Sequence, residues 1–286
     1  MKQNLKEIYD YRQMIIGLIR RDLRGRYKGS LLGFLWTFIN PLLQLLVYTL
    51  VFGVLLKNKV PDFYLYVFVG LIPWLFFSSC LVGGSEAIIS QQRLVTKVYF
   101  PREVLPISYV TSSFINMLCC FIIVMAVYLF SAFTSFDGGF HWTFPPTDPT
   151  TGLTTFSFLP LLALPLVFLI EYIMCLGMTL FTSAITVYVR DVRHILGIVG
   201  MLWMFSTPIM WKISNVLDPG RMERWGWLFL YVNPMTGIIE ACHSILYNGA
   251  WPNFTYLAAS AGWAILAIIV GIPVFNKAKK HFAEEL

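Results

Sequence analysis

Apolar runs of about the length needed to cross a bilayer recur along most of this 286-residue chain, and no other feature limits its fold as strongly. A helix needs about 20 mostly apolar residues to span about 30 Å of hydrocarbon. In lipid, every backbone amide and carbonyl must find its partner within the protein, which leaves helices or a closed barrel. The runs are too long and too continuously apolar for barrel strands, whose side chains alternate between lipid and lumen. Composition agrees, with 57% hydrophobic and 13% charged residues, against about 25% charged in a soluble domain. The expected fold is an all-α integral membrane bundle, and a soluble enzyme is excluded. Cys80, Cys119, Cys120, Cys175 and Cys242 lie mostly inside apolar runs without metal-ligand spacing, and read as small core residues.

Within residues 4–24, Leu5, Ile8, Ile15, Ile19 and Leu23 recur at helical spacing, with Lys6, Arg12, Arg20 and Arg24 on other faces. That pattern describes an amphipathic helix lying in the membrane interface, here the segment 1–30. Thirty mixed, charged residues before the first long apolar run are unlike a cleavable signal peptide, so the first span is expected to stay. Spans are expected at 31–56, 63–82, 104–133, 159–189, 194–211 and 255–275, within a transmembrane domain of 31–275 followed by a tail, 276–286. Pro41 is expected to kink the first of them. A Pro-, Thr- and Gly-rich outer loop occupies 137–155.

The segment 226–249 is apolar enough to resemble a seventh span, but it contains Asn233-Pro234, Glu240 and His243. Charge arbitrates between the two counts. With six spans, sixteen of the 21 Lys and Arg fall on one side: the N-terminal segment, the loop 85–103, the turn at Arg190 and Arg193, and the tail. The positive-inside rule places that side, and both termini, in the cytoplasm. A seventh span would carry Lys277, Lys279 and Lys280 outside. Six transmembrane helices per subunit are therefore expected, with 226–249 as a re-entrant hairpin on the outer face before the last span. Backbone of that kind is tolerated at depth only where protein or a water-filled cavity covers it.

Three stretches carry more specific information. The first is Arg21-Asp22-Leu23-Arg24-Gly25-Arg26-Tyr27-Lys28-Gly29-Ser30-Leu31-Leu32-Gly33-Phe34-Leu35-Trp36, followed by Asn40-Pro41. The second runs Leu94-Val95-Thr96-Lys97-Val98-Tyr99-Phe100-Pro101-Arg102-Glu103-Val104-Leu105-Pro106, and the third Val187-Tyr188-Val189-Arg190-Asp191-Val192-Arg193-His194-Ile195. Together, and over essentially the whole chain, they resemble the membrane subunit of ABC type 2 exporters, in the branch that exports lipid-linked polysaccharide such as O antigen, capsule or teichoic acid. The 137–155 loop looks longer than in many members of that branch. The resemblance implies a bacterial plasma-membrane permease acting as a homodimer with two copies of a cytoplasmic nucleotide-binding subunit. No Gly-x-x-x-x-Gly-Lys-[Ser/Thr] phosphate loop occurs in the chain, so ATP and Mg are expected on the partner, with no cofactor, metal, catalytic residue or nucleic acid on this one.

The resemblance also points to site residues. Pro101 and Pro106 end helices sharply, so 93–100 is expected to form a short helix along the membrane. The resemblance implies that this is the coupling element gripped by the ATPase, with Arg93, Lys97, Tyr99, Phe100, Arg102 and Glu103 there and Arg190 and Asp191 at the second inner turn. Positive-inside anchoring and snorkelling account for the same basic residues. Arg20, Arg24, Arg26 and Lys28 fit either anionic membrane lipids or the diphosphate of a lipid-linked glycan, since guanidinium forks match phosphate oxygens. Phe34, Phe38, Tyr66, Trp74 and Phe77 fall on helical stripes that suit a sugar-conducting channel or interfacial belts and helix packing. Glu240 and His243, at i and i+3, are candidates for an outer gate. Glu171 is an acid deep in a span, costly there and functional by default. The rival readings are an exporter of drugs or small lipids, a membrane glycosyl or phosphoglycosyl transferase, for which the acids are too scattered, and a proton-coupled carrier, for which no repeats or paired charges appear.

Overall fold

The computed structural model describes residues 2–26, 29, 32–56, 60–134, 159–213 and 226–286. Every element among them is helical. In chain order the α-helices are α1 (Lys2–Asp10), α2 (Arg12–Gly25), α3 (Trp36–Tyr48), α4 (Phe63–Ser78), α5 (Gln92–Lys97), α6 (Val104–Thr134), α7 (Leu164–Tyr188), α8 (Val192–Ser206), α9 (Thr236–Cys242), α10 (Phe254–Ala278) and α11 (Phe282–Glu285). The outer loop expected at 137–155 lies outside the described residues.

Among the described residues, five helical stretches are long and apolar enough to cross a membrane: Gly33–Leu55, Phe63–Glu86, Val104–Ala126, Leu159–Tyr188 and Phe254–Ala278. The span read from the sequence at 194–211 is shorter than expected. Its helix, α8, holds 15 residues, about 22 Å at 1.5 Å per residue. Pro208 is the cause, because a proline disfavours helical backbone in the residue before it. Thr207 accordingly turns extended, at φ −100° and ψ 141°. The segment 226–249 is also broken: a π-helical turn at Leu228–Val232, α9, a second π turn at His243–Tyr247, then Gly249 at φ 63°. Neither π turn nor α9 approaches spanning length.

The second stretch is the hub. In its most apolar window 78% of residues are buried, against 6% for the first stretch. Its helix α4 is apolar on every side, the signature of a helix enclosed by others, and it touches α3, α6 and α9. Beyond Ser78 it winds on as a π turn, Ser79–Gly83, into Gly84–Glu86, and both lie against α7. There the Thr179 hydroxyl donates to the Cys80 carbonyl at 3.2 Å.

Among the described residues, the most extensively packed helix pair is α7 with α10. A Cβ on Gly177 would strike the backbone of Ala267 and Ile268, and one on Gly271 would strike the carbonyl of Gly177. Ser260, Ala264, Ala267 and Gly271 recur along α10 at three- and four-residue spacing, the small-residue stripe that lets helix backbones meet in lipid. The same helix is started by Asn253, whose side chain accepts the Thr255 amide at 3.0 Å, a conventional N-cap. A second hydrophobic cluster closes one end of the bundle. It gathers Leu18 of α2, Val95 of α5, Phe100 and Val104, Val187 of α7, Phe275 of α10 and Phe282 of α11.

Replacing Gly177 or Gly271 with Ala should cost about 1–3 kcal/mol through overpacking. Gly262→Ala on the same α10, where a Cβ meets nothing within 4 Å, should be neutral or slightly stabilising, since Ala is the better helix former. Thermal unfolding of the purified protein in detergent distinguishes the two classes.

Candidate functional site

The basic residues singled out in the sequence meet at the end of the bundle closed by that second cluster. There α5 is preceded by a 3₁₀ turn, Ile89–Gln91, and ends at Lys97, with Val98 extended. The short helix is therefore 92–97, and 98–100 is open chain. Arg93 and Lys97 are exposed, and Tyr99 is 87% exposed, an unusual position for an aromatic ring. Phe100 turns the other way into the cluster. Arg102 and Glu103 are turned inward too: the Arg102 guanidinium donates to the Lys279 carbonyl, and Glu103 pairs with the Lys279 ammonium. The expected coupling set thus divides into an outward group, Arg93, Lys97 and Tyr99, and an inward group, Phe100, Arg102 and Glu103, that anchors the loop.

The second turn, between α7 and α8, presents Arg190 and Asp191 exposed, and they form no ion pair with each other. The Asp191 carbonyl accepts the amides of His194 and Ile195, starting α8. Arg193 pairs with Glu86 and so ties this turn to the end of the second stretch. Both loops stand on rigid helices and are cross-braced.

Of the N-terminal basic group, Arg20 and Arg24 are exposed, whereas Arg26 is engaged. Its Nε and Nη2 donate to Asp22 at 3.1 and 3.0 Å, and Nη2 also reaches Ser113 Oγ at 3.0 Å. The Ser112 hydroxyl donates to the same Asp22 carboxylate, and Ser79 shares hydrogen bonds with Tyr109 and Ser113. This polar chain fastens α2 to α6 and to the second stretch. Its traces in the sequence are Asp22 and Arg26 four residues apart and the adjacent Ser112 and Ser113 inside an apolar run. Lys28 lies outside the described residues. Beside the chain is a cavity of about 300 Å³ bordered by Arg21, Asp22, Glu86, Gln91 and Ser108.

At the opposite end, Asn233 holds the broken segment in place. Its Oδ1 accepts Trp203 Nε1 at 2.9 Å and the Met235 amide at 3.0 Å, while Nδ2 donates to Thr207 Oγ1 at 2.9 Å. His243 is buried and stacked on Tyr66, with ring centroids 3.8 Å apart, and its Nε2 donates to the Tyr66 carbonyl at 2.9 Å. The fit requires Gly70, where a Cβ would come within 2.9 Å of His243 Nε2. The Tyr247 hydroxyl donates to the Pro61 carbonyl at 2.6 Å, and Lys212 lies 5.4 Å over the Tyr247 ring. Glu240 is half-buried. Asp62, just ahead of α4 and at φ 43°, has its carboxyl pushed above the ordinary range by partial burial.

The candidate channel aromatics separate along the same lines. Tyr66, Trp74 and Phe77 are core residues of the chain itself: Tyr66 packs on His243 and Tyr247, and Phe77 meets Trp203 edge-on at 5.2 Å. Within this chain the stripe packs against 226–249 and α8. Phe34 is exposed and meets Phe38 edge-on at 5.3 Å. Glu171 is fully buried on α7, near Cys175 and Cys242, and neither of its oxygens has a hydrogen-bond partner among the described residues.

These features define a polytopic α-helical membrane protein whose loops at one end are braced by ion pairs and a hydrophobic cluster of their own. The chain belongs to the ABC-2 type transporter family, which matches residues 13–247. It is similar to the O-antigen export system permease protein RfbA of Myxococcus xanthus, with 34% identity over 282 residues, 99% of this chain and 98% of that protein. A protein of the same name from Klebsiella pneumoniae is 28% identical over 286 residues, 100% and 98% of the two chains. The polysialic acid transport protein KpsM of Escherichia coli is 23% identical over 261 residues, 91% of each. The family resemblance read from the three motifs holds.

Asn233→Ala removes partners from Trp203, Thr207 and the Met235 amide at once. The variant should lose about 1–3 kcal/mol of stability, visible as a lower thermal midpoint and as faster amide exchange at 233–239 than in α7.

Proposed function

We propose that this chain is the permease subunit of an ATP-driven exporter that moves a lipid-linked polysaccharide, of the O-antigen, capsule or teichoic acid type, from the cytoplasmic to the outer side of a bacterial plasma membrane. The observation that carries this reading is similarity along the full chain to relatives named as O-antigen export permeases. The chain performs transport and no covalent chemistry.

In this reading the basic end faces the cytoplasm, with both termini, as the crowding of Lys and Arg there favours. Six crossings result if α8 and residues 207–211 together make one, and 226–249 is a re-entrant hairpin on the outer side. Segment 1–30 is interfacial, 31–275 is the transmembrane domain and 276–286 the cytoplasmic tail. Two copies pair with two nucleotide-binding subunits, which carry ATP and Mg. The outward group Arg93, Lys97 and Tyr99, with Arg190 and Asp191, is where the motor takes hold, since exposed side chains on braced loops transmit a rigid-body push. Leu43, Leu46 and Leu50 of the first stretch and Ile198, Met201 and Leu202 of α8 are exposed apolar residues that suit lipid or a second copy, and Phe34 and Phe38 are the aromatics placed to line a path between copies. Arg20 and Arg24, exposed at the interfacial helix, steer the diphosphate of the carrier lipid, while Arg26 holds the helix. Glu240 and His243 act at the outer end as packing for the hairpin that closes the path.

Three measurements test this. Single cysteines at Arg93 and Arg190 should react with an impermeant maleimide only from the cytoplasmic side, and labelling from outside would overturn the orientation. Tyr99→Ala should lower glycan export by about tenfold, as loss of an interface anchor does. Arg24→Gln should weaken stimulation of the ATPase by lipid-linked glycan more than basal hydrolysis, and equal loss of both would count against the diphosphate role.

A further inference from the structure

We infer that the C-terminal tail, 279–286, is the strut that couples the loop 85–103 to the α7–α10 pair, with Phe282 as its positioning residue. The inference rests on the reading of that loop as the motor's contact.

The tail returns beneath the bundle and touches α5 and α7. Phe282 is 0% exposed although four of its described neighbours in the tail, Lys280, His281, Glu284 and Glu285, are exposed. Its ring meets Phe275 of α10 at 5.6 Å and 82°, lies 6.4 Å from Tyr188 of α7, and has the Arg102 guanidinium 5.9 Å away over its face. Three polar bonds join the same parts. Arg102 donates to the Lys279 carbonyl, Lys279 pairs with Glu103, and the Tyr188 hydroxyl donates to the Ala278 carbonyl at 2.8 Å. Phe282 therefore sits where loop 85–103, the end of α7 and the end of α10 converge. Elsewhere the loop is held by Val95 and Phe100 in the cluster and by the Glu86–Arg193 pair, but α5 itself is a six-residue helix, too short to stand alone in water, and the tail lies against it. A push on Tyr99 reaches the backbone-to-backbone contact at Gly177 and Gly271 through Arg102, Glu103 and Phe282. Without the ring, Arg102 loses the face it covers, and the loop is free to yield under load while the spans stay still.

The test uses the intact permease–ATPase complex in proteoliposomes, with Phe282→Ala, truncation after Lys280, and Phe282→Leu as the conservative variant. Both disruptive variants should raise amide exchange in 92–103 while leaving α7 and α10 protected, and lower the glycan exported per ATP hydrolysed by about fivefold with hydrolysis retained. Phe282→Leu should restore most of both. Unchanged exchange in 92–103 overturns the strut, and raised exchange with unchanged export per ATP overturns its part in transmission. Loss of protection throughout α7 and α10 also overturns it, because a strut acts locally. Tyr99→Ala without effect on export, in a chain whose tail is intact, would instead sink the reading of the loop as the motor's contact.

Discussion

The contact on which the rest of the bundle depends is the one between α7 and α10, where Gly177 and Gly271 bring two helix backbones together. Lipid tails are as apolar as leucine, so burying large side chains gives helices little reason to associate within a membrane. Close packing supplies the attraction instead, and small residues make it available. With α10 fixed this way, Gly237 of α9 is held against it, since a Cβ there would strike the Tyr256 carbonyl. α9 in turn sets His243 against Tyr66, and so places α4 at the centre.

The two ends of the bundle are finished by different physics. At the end rich in Lys and Arg, water is close, and the chain builds a compact apolar cluster roofed by ion pairs and charge-assisted bonds: Lys279 with Glu103, Arg193 with Glu86, Arg26 with Asp22. Partly exposed pairs of this kind add little stability singly. Their value is geometric: Lys279–Glu103 and Arg193–Glu86 each join two elements and hold the exposed turns against the spans, while Arg26–Asp22 orders the end of α2. At the other end, the broken segment 226–249 lies deep in the fold, and the Asn233 side chain pairs there with Trp203 Nε1, Thr207 Oγ1 and the Met235 amide. That is the condition under which broken backbone is tolerated at membrane depth.

Several elements were legible in the sequence because a single residue or a period dictates them. The apolar runs marked the spans and Asn233-Pro234 marked the break in 226–249, while the short helix expected over 93–100 ends at Lys97, ahead of Pro101, and Pro106 falls within the first turn of α6. Less was legible where the deciding quantity is which surface a helix shows to which neighbour. The stripe of Tyr66, Trp74 and Phe77 has the same spacing whether it lines a channel or packs against 226–249, and periodicity within one helix carries no information about the partner. Arg26 and Arg24 look alike in sequence, yet only Arg26 has Asp22 and Ser113 within reach. Phe282 stood in a short charged tail with no period at all.

The sequence by itself determined that this chain lives in lipid, that it is helical, that its basic residues crowd one side and that its motifs belong to one transporter family. The first two follow from run length against bilayer thickness and from obligatory pairing of backbone groups, the third from where Lys and Arg fall, and the last from the resemblance of the three motifs. Only the tertiary structure decided that α4 is the buried hub, that the first stretch is left open, that the loop 85–103 faces both outward and inward, and that the tail lies beneath it. Those outcomes depend on close approach between segments far apart in the chain, here through Gly177, Gly271 and Phe282, and no residue announces its distant neighbour.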